Sequence, residues 1–408
     1  MRLNTLLLAG IFFLGIIVST QADVLDHWST NQITTNGYKM DSIAYGNGCY
    51  VATSELIGGD QGEIYASVDG ENWTPVYFNG GDNGIWGLNL HYVSGCFVGT
   101  TGGYGQVATS LDGTNWTISQ VPAPLNFSPG DASSSDSLYV VVGAENGTGV
   151  AFYSSDGTNW TAASISPSVG AGISSAAYGT PRGTPPRPLA PIFVAVGNNG
   201  DEYISYNNGI SWTRRSIPGG SQVSYGNGLF IVPLNSQNNL VSADGINWTQ
   251  YSTGLTNQLG WIIYAHGVFI SQSGSYLATS SDGINWFQYP HPLPGATSQY
   301  ETLATDGNRI ATLGSVYVGF DGFADQYDGY VYLSDPLVGV RMTNNPASQV
   351  ALSGLVGRNY QIQSANVLTT SSNNWSTNLT IQLTNTPYVW TDSTATNSAR
   401  FYRGVLLP

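Results

Sequence analysis

Five aspartates and one asparagine occupy near-identical surroundings in this chain, and a repeated acid is the first place to look for chemistry. Asp69, Asp112, Asp156, Asp244 and Asp282 stand in SVDGENW, SLDGTNW, SSDGTNW, SADGINW and SSDGINW, and Asn207 holds the same place in the longer SYNNGISW. A carboxylate could supply acid–base or metal-binding chemistry, but this spacing reads first as a tight turn. Asp-Gly brings a residue tolerant of positive φ, while the carboxylate and the Ser hydroxyl accept hydrogen bonds from the turn's own N–H groups. The Trp closing each copy (Trp73, Trp116, Trp160, Trp212, Trp248 and Trp286) should begin the next strand and wedge its apolar body into a seam. These twelve positions are therefore expected to be structural.

The remaining acids and aromatics are candidates for ligand binding. Asp60, Trp86, Tyr104, Trp261, Tyr276, Asp321, Asp325 and Tyr327 fall in or beside stretches between strands, as do Asp201, Glu202, Tyr317 and Phe320. Acidic and aromatic side chains together suit stacking on sugar rings with hydrogen bonds to hydroxyls. A glycosidase needs only two carboxylates about 5–10 Å apart, yet no catalytic pair can be picked from the sequence. Asp321, Asp325 and Asp328 match no regular calcium loop, so neither metal nor cofactor is expected. His27, His91, His266 and His291 are scattered, and Cys49 and Cys96 hold the same place in successive repeats. Side chains in equivalent places point the same way rather than at each other, which predicts two buried free thiols.

The elements that must position these residues are short strands. Each repeat reads as a segment ending in Tyr-Gly or its equivalent, a tight turn, an apolar second strand such as CYVAT, CFVGT, LYVVVG, IFVAVG, LFIVP or VFISQ, a third strand before the box and a fourth from its Trp. A period of roughly 40 residues is that of a four-stranded propeller blade. Beyond Trp286 a further repeat has no Trp, whereas His27-Trp28-Ser29-Thr30 stands alone before the first repeat. Trp28 is thus predicted to lie in the missing fourth strand. The expected fold is all-β: a seven-bladed propeller over 23–336, closed by its N-terminal strand, with a small β-sandwich over 337–408. The Pro-rich insertion at 180–188 interrupts the first turn of the fourth repeat and should lie on the face that carries the boxes.

The SYNNGISW copy has the length of SxDxGxTW and resembles the Asp-box, or BNR repeat, of sialidase-like propellers; the other five look like a contracted form. That resemblance implies boxes on the rim, away from the ligand face. Sialidases also bind the substrate carboxylate with three arginines from different blades, whereas residues 23–336 hold only Arg182, Arg187, Arg214, Arg215 and Arg309. Two of these lie in the insertion and two in one strand, so sialidase activity is not expected. At the C-terminus GRNYQIQSA, Asn374-Trp375 and Arg400-Phe401-Tyr402-Arg403 resemble the Ig-like or fibronectin-like modules of exported bacterial proteins.

Composition narrows the function further. Charged residues are 9%, the net charge is −14 and Lys39 is the sole lysine, which leaves no basic footprint for nucleic acid. Met1-Arg2, the apolar run Leu6 to Val18 and Thr20-Gln21-Ala22 read as a secretory signal peptide over 1–22, too short to span a bilayer comfortably. The expectation is a secreted, periplasmic or cell-surface monomer without a membrane span, a non-catalytic binding scaffold for glycans or surface proteins. The alternatives are an extracellular glycan-active hydrolase and, by fold analogy alone, an assembly factor.

Overall fold

The computed structural model describes residues 28–407 other than 36, 57–60, 81–87, 102–104, 123–126, 168–169, 183–189, 198, 235–236, 266, 274–275, 291–302, 308, 321–324, 335–337, 343–348, 355–357, 366–374, 385–387 and 394–400. The segment 1–22, His27, His266, His291 and most of the insertion fall outside the described residues. Within them every regular element is a strand, and no helix is long and apolar enough to cross a membrane.

Seven of the sheets among the described residues are antiparallel meanders. They run from Tyr38–Gly46 to Thr74–Gly80 (sheet 1), Asn89–Val93 to Thr117–Gln120 (sheet 2), Phe127–Ser134 to Thr161–Ala162 (sheet 3), Ile173–Gly179 to Ser211–Ser216 (sheet 4), Ser224–Gly226 to Thr249–Ser252 (sheet 5) and Ile262–Ala265 to Phe287–Pro290 (sheet 6). Sheet 7 takes Leu303–Thr305, Ile310–Phe320 and Asp325–Ser334 from the end of the repeats, and its fourth strand, Trp28–Thr34, from the start of the described chain. The register there runs from Trp28↔Ser334 to Gln32↔Tyr330, then shifts to Thr34↔Gly329. Thr34 Oγ1 fixes that end by accepting from Gly329 N (2.9 Å) and donating to the Tyr38 carbonyl (3.0 Å).

Each meander has one apolar strand at its heart, because β-branched and aromatic residues there are buried on both faces. Val194, Val196 and Phe193 of sheet 4 are fully enclosed, as are Phe230, Ile231 and Val232 of sheet 5. Apolar clusters join sheet 1 to 2, 2 to 3, 3 to 4, 4 to 5, 5 to 6 and 6 to 7, and one joins 7 to 1 through Leu333, Val331, Tyr50 and Ile43. Each contains one tryptophan, in that order Trp116, Trp160, Trp212, Trp248, Trp286, Trp28 and Trp73.

A second device keys neighbouring sheets. Tyr45, Tyr92, Tyr178, Tyr225 and Tyr264 each pack their ring on the aromatic residue opposite in their own second strand, at 4.6–4.9 Å between centroids. The glycine closing a first strand makes room for the tyrosine of the next sheet. A Cβ on Gly46 would meet the Tyr92 ring, one on Gly179 the Tyr225 ring, and one on Gly226 the Tyr264 ring.

Three strand readings change. The box Trp precedes the fourth strand by one residue in sheets 1, 2, 3, 5 and 6; Trp73, Trp116 and Trp286 return their indole N–H to the box glycine carbonyl, as Trp212 does from within its strand. Ser164–Ser166, not foreseen, crosses from sheet 3 to pair in parallel with the edge of sheet 4, Ser164↔Ser211 to Ser166↔Thr213. The stretch 314–329, read as a loop, is mostly a two-stranded ribbon: Val316↔Asp328, Tyr317↔Tyr327 and Phe320↔Asp325 extend the sheet 7 ladder. Val316, Tyr317, Val318, Phe320 and Tyr327 are β-branched and aromatic residues of the kind enriched in strands.

After sheet 7 come two three-stranded sheets, with Gln349–Gly354 between Val338–Met342 and Tyr388–Thr391, and Asn359–Ala365 between Ser376–Gln382 and Phe401–Leu406. They share the core of Val350, Leu352, Tyr360, Ile362 and Leu383. Arg358 donates to the Gly267 carbonyl of sheet 6 at 3.0 Å. Cys49 and Cys96 are buried free thiols, each turned to the next residue's carbonyl.

Candidate functional site

The box turns show what holds their acids. Asp69 Oδ1 accepts from the N–H groups of Glu71 (2.9 Å) and Asn72 (2.8 Å) and from Ser67 Oγ (3.0 Å), while Oδ2 accepts from Asn72 Nδ2 (2.8 Å). Asp112, Asp156, Asp244 and Asp282 repeat the pattern. Asn207 does so with Ser211 N and, through its own Nδ2, Ser211 Oγ. The glycines that follow these five aspartates take φ between 70° and 79°. Hydrogen bonds from the asparagine three residues on hold the carboxyls of Asp69, Asp112 and Asp156 below the usual range. Burial opposes the same donors at Asp244 and Asp282 without overcoming them.

The eight ligand-binding candidates divide. Asp60, Trp86, Tyr104 and Asp321 lie outside the described residues. Tyr276 starts the third strand of sheet 6 and its hydroxyl meets Thr256 Oγ1 at 3.2 Å. Asp325 and Tyr327 lie on the ribbon, where Tyr327 meets Tyr317 edge-on at 5.6 Å between centroids. Tyr317 and Phe320 of that ribbon are 51% and 62% exposed, with Val316 and Val318 beside them. Asp201 and Glu202, read among the loop acids, are instead buried strand residues. Asp201 holds Arg214 (2.8 Å from Nε) and the Ala171 N–H (2.8 Å). Glu202 is 1% exposed, accepts from the Trp248 indole at 2.7 Å, and has its pKa pushed to about 7 by burial.

Trp261 belongs to a constellation that the sequence did not assemble. Its ring lies 6.4 Å from that of His91, between the first strands of sheets 2 and 6. His91 Nε2 is 3.0 Å from Asp131 Oδ1. Asp131 Oδ2 is occupied by Ser175 Oγ (2.7 Å) and Ala176 N (3.0 Å) of sheet 4. The same stitching recurs between other first strands: Leu90 N donates to Ser42 Oγ, Asn89 Nδ2 to the Gly130 carbonyl, and Val223 N to Ser175 Oγ. A cavity of about 250 Å³ opens beside His91, Tyr92, Tyr45, Ile263 and Leu303. The signal for His91 was its place: it precedes Tyr92 as Ala44 precedes Tyr45 and Ala177 precedes Tyr178.

Asp41 is a second position the sequence passed over. It occupies a bulge between Met40 and Ser42, is 5% exposed, and neither carboxyl oxygen meets a donor among the described residues. Burial pushes its pKa well up, with Glu55 adding and Lys39 opposing. Burial also raises Glu55, which faces Lys39 across the ladder.

No protein-family description and no curated protein matches this sequence. Solved structures do. A catalytically inactive virginiamycin B lyase from Staphylococcus aureus, determined with quinupristin, is 14% identical with a TM-score of 0.57, over 76% of this chain and 99% of that one. A selenomethionine-substituted virginiamycin B lyase from the same organism is 11% identical with a TM-score of 0.52, over 74% and 99%. The WD40 β-propeller domain of Doa1 is 13% identical with a TM-score of 0.49, over 76% and 97%. The chain has an all-β, propeller-like fold.

Proposed function

We propose that this chain is an exported Asp-box-type propeller of seven blades, closed by Trp28–Thr34 and followed by an Ig-like sandwich, and that it binds glycans. Seven seams with one tryptophan each, and the antiparallel pairing of Trp28–Thr34 with Asp325–Ser334, support the count and the closure. The shared core of the last two sheets supports the sandwich. The boxes are structural on this reading, because their carboxylates are engaged by their own turns.

The ribbon carries the functional reading. Tyr317 and Phe320 present exposed rings on a ladder that also carries Asp325 and Tyr327. Sugar C–H faces stack on such rings while carboxylates accept from hydroxyls, and a ribbon without lysine or arginine fits a neutral ligand. The test is a glycan array on purified protein beside Tyr317→Ala/Phe320→Ala. At least about a tenfold loss of binding is expected, and unchanged binding would remove the reading. A hydrolase is favoured by one observation only, the buried Asp41 carboxyl without a donor among the described residues, whose pKa burial pushes well up, the direction that suits a general acid. A hydrolysis screen with Asp41→Asn as the control separates the two.

A further inference from the structure

Between the box turns of sheets 5 and 6 lies a pocket of about 420 Å³, within the roughly 300–1,000 Å³ of small-ligand sites. Leu229, Val241 and Ile284 give it an apolar floor, and Asp244, Asp282 and Asn247 a polar rim. Into this rim comes Arg182, from the connection between the first and second strands of sheet 4. Its backbone N donates to the Ala243 carbonyl at 2.7 Å, and its guanidinium Nη2 to the Asn227 carbonyl at 2.5 Å. The side chain lies on Gly228, where a Cβ would stand 2.7 Å from Arg182 Cγ.

The groove itself is a product of the repeat. A similar one of about 320 Å³ lies between the boxes of sheets 2 and 3, lined by Asp112, Asp156 and Asn115, with no cation in its lining. What distinguishes the first groove is the arginine. Arg182 makes no ion pair with Asp244 or Asp282 among the described residues, so the boxes do not need it. A guanidinium carries five N–H donors, and the Asn227 carbonyl takes one. Each box carboxylate keeps acceptor capacity on Oδ2, where Asn247 or Asn285 is the sole donor among the described residues.

We propose that this pocket is a glycan subsite on the box face, distinct from the ribbon, and that it holds a neutral pyranose residue. Sugar hydroxyls donate and accept at once, so they pair with Arg182 on one side and Asp244 and Asp282 on the other. The apolar floor meets the C–H face of the ring. An anionic sugar would oppose two carboxylates, and an ammonium, which has donors only, would leave the guanidinium without the acceptor that a neutral hydroxyl supplies. This rests on the glycan-binding reading above.

The probe is an array of neutral oligosaccharides applied to the full chain, followed by calorimetry with the tightest binder. NMR of the arginine side-chain Nε–H groups follows the same titration. Arg182→Ala should weaken binding about tenfold or remove one of two sites, and Arg182→Lys should recover less than half of the loss, since an ammonium lacks the planar fork. The Arg182 Nε–H resonance should shift on titration, a response that a purely structural arginine would not give. Binding that is lost in Tyr317→Ala/Phe320→Ala but unchanged in Arg182→Ala, with a still Arg182 resonance, overturns the subsite and leaves the ribbon reading standing. A wild-type chain that binds no neutral glycan overturns both.

Discussion

At the scale of single residues, the boxes and one buried acid make opposite predictions about stability. Ser242 Oγ accepts from Gly245 N (2.8 Å) and Asp244 N (3.3 Å) and donates to Asp244 Oδ1 (3.0 Å). Ser242→Ala leaves the buried Gly245 N–H without a partner, which costs about 1–3 kcal/mol; urea unfolding should show it. Glu202 acts the other way. Its folded pKa of about 7 stands above the usual 4.5, so the folded state binds the extra proton. The stability it confers is complete below pH 4.5 and is lost as pH rises through 7, a difference on the order of 3 kcal/mol. Glu202→Gln should therefore flatten the unfolding free energy between pH 5 and 8, and parallel profiles for the two proteins would sink the assignment. The box acids were legible because the turn needs them locally. Glu202 was not, because DEY reads as a loop acid until Trp248, 46 residues on, is seen to cover it.

At the scale of elements, the tyrosine–glycine keys are the most exposed to test. A methyl group on Gly46 would fall 2.1 Å from atoms of the Tyr92 ring, so Gly46→Ala must push the ring out of the seam. A loss of about 1–3 kcal/mol is expected from such overpacking, and Gly46→Ala/Tyr92→Ala should lose less than the sum of the two single losses. Gly48→Ala is the control, since its Cβ would meet nothing within 4 Å, although its φ of 78° adds local strain. Tyr-Gly was visible in the sequence as a strand ending, but the partner of each glycine belongs to the next repeat, where local pattern does not reach. The apolar second strands were legible to within a few residues because both faces are buried. The ribbon was not, because glycines, acids and a bulge between Tyr317 and Gly319 interrupt its alternation.

At the scale of the whole molecule, Trp28–Thr34 is the element on which sheet 7 depends. Deleting residues 23–34 strips Asp325–Ser334 of a partner and empties the Trp28 place in the seam of sheets 6 and 7. Removal of one such tryptophan costs about 3–5 kcal/mol, comparable with the stability of a domain; the truncation should aggregate in size-exclusion chromatography, and an unchanged melting temperature would mean the strand is dispensable. The repeat period made this pairing legible at long range, since one Trp was missing at one end and spare at the other. The His91–Trp261 approach was not, because no period links residues of different types on sheets 2 and 6. The pairing also sets an order in time. Ser29 and the Leu333 carbonyl are joined although 304 positions apart, so a chain synthesised at about 5–20 residues per second keeps its first strand waiting for roughly 15–60 s. The strand that completes sheet 7 is made early and placed last. Every product that stops before Ser334 therefore leaves the ribosome with Trp28–Thr34 unpaired, and the open backbone donors and acceptors of that strand are the mark by which such a product can be recognised and removed.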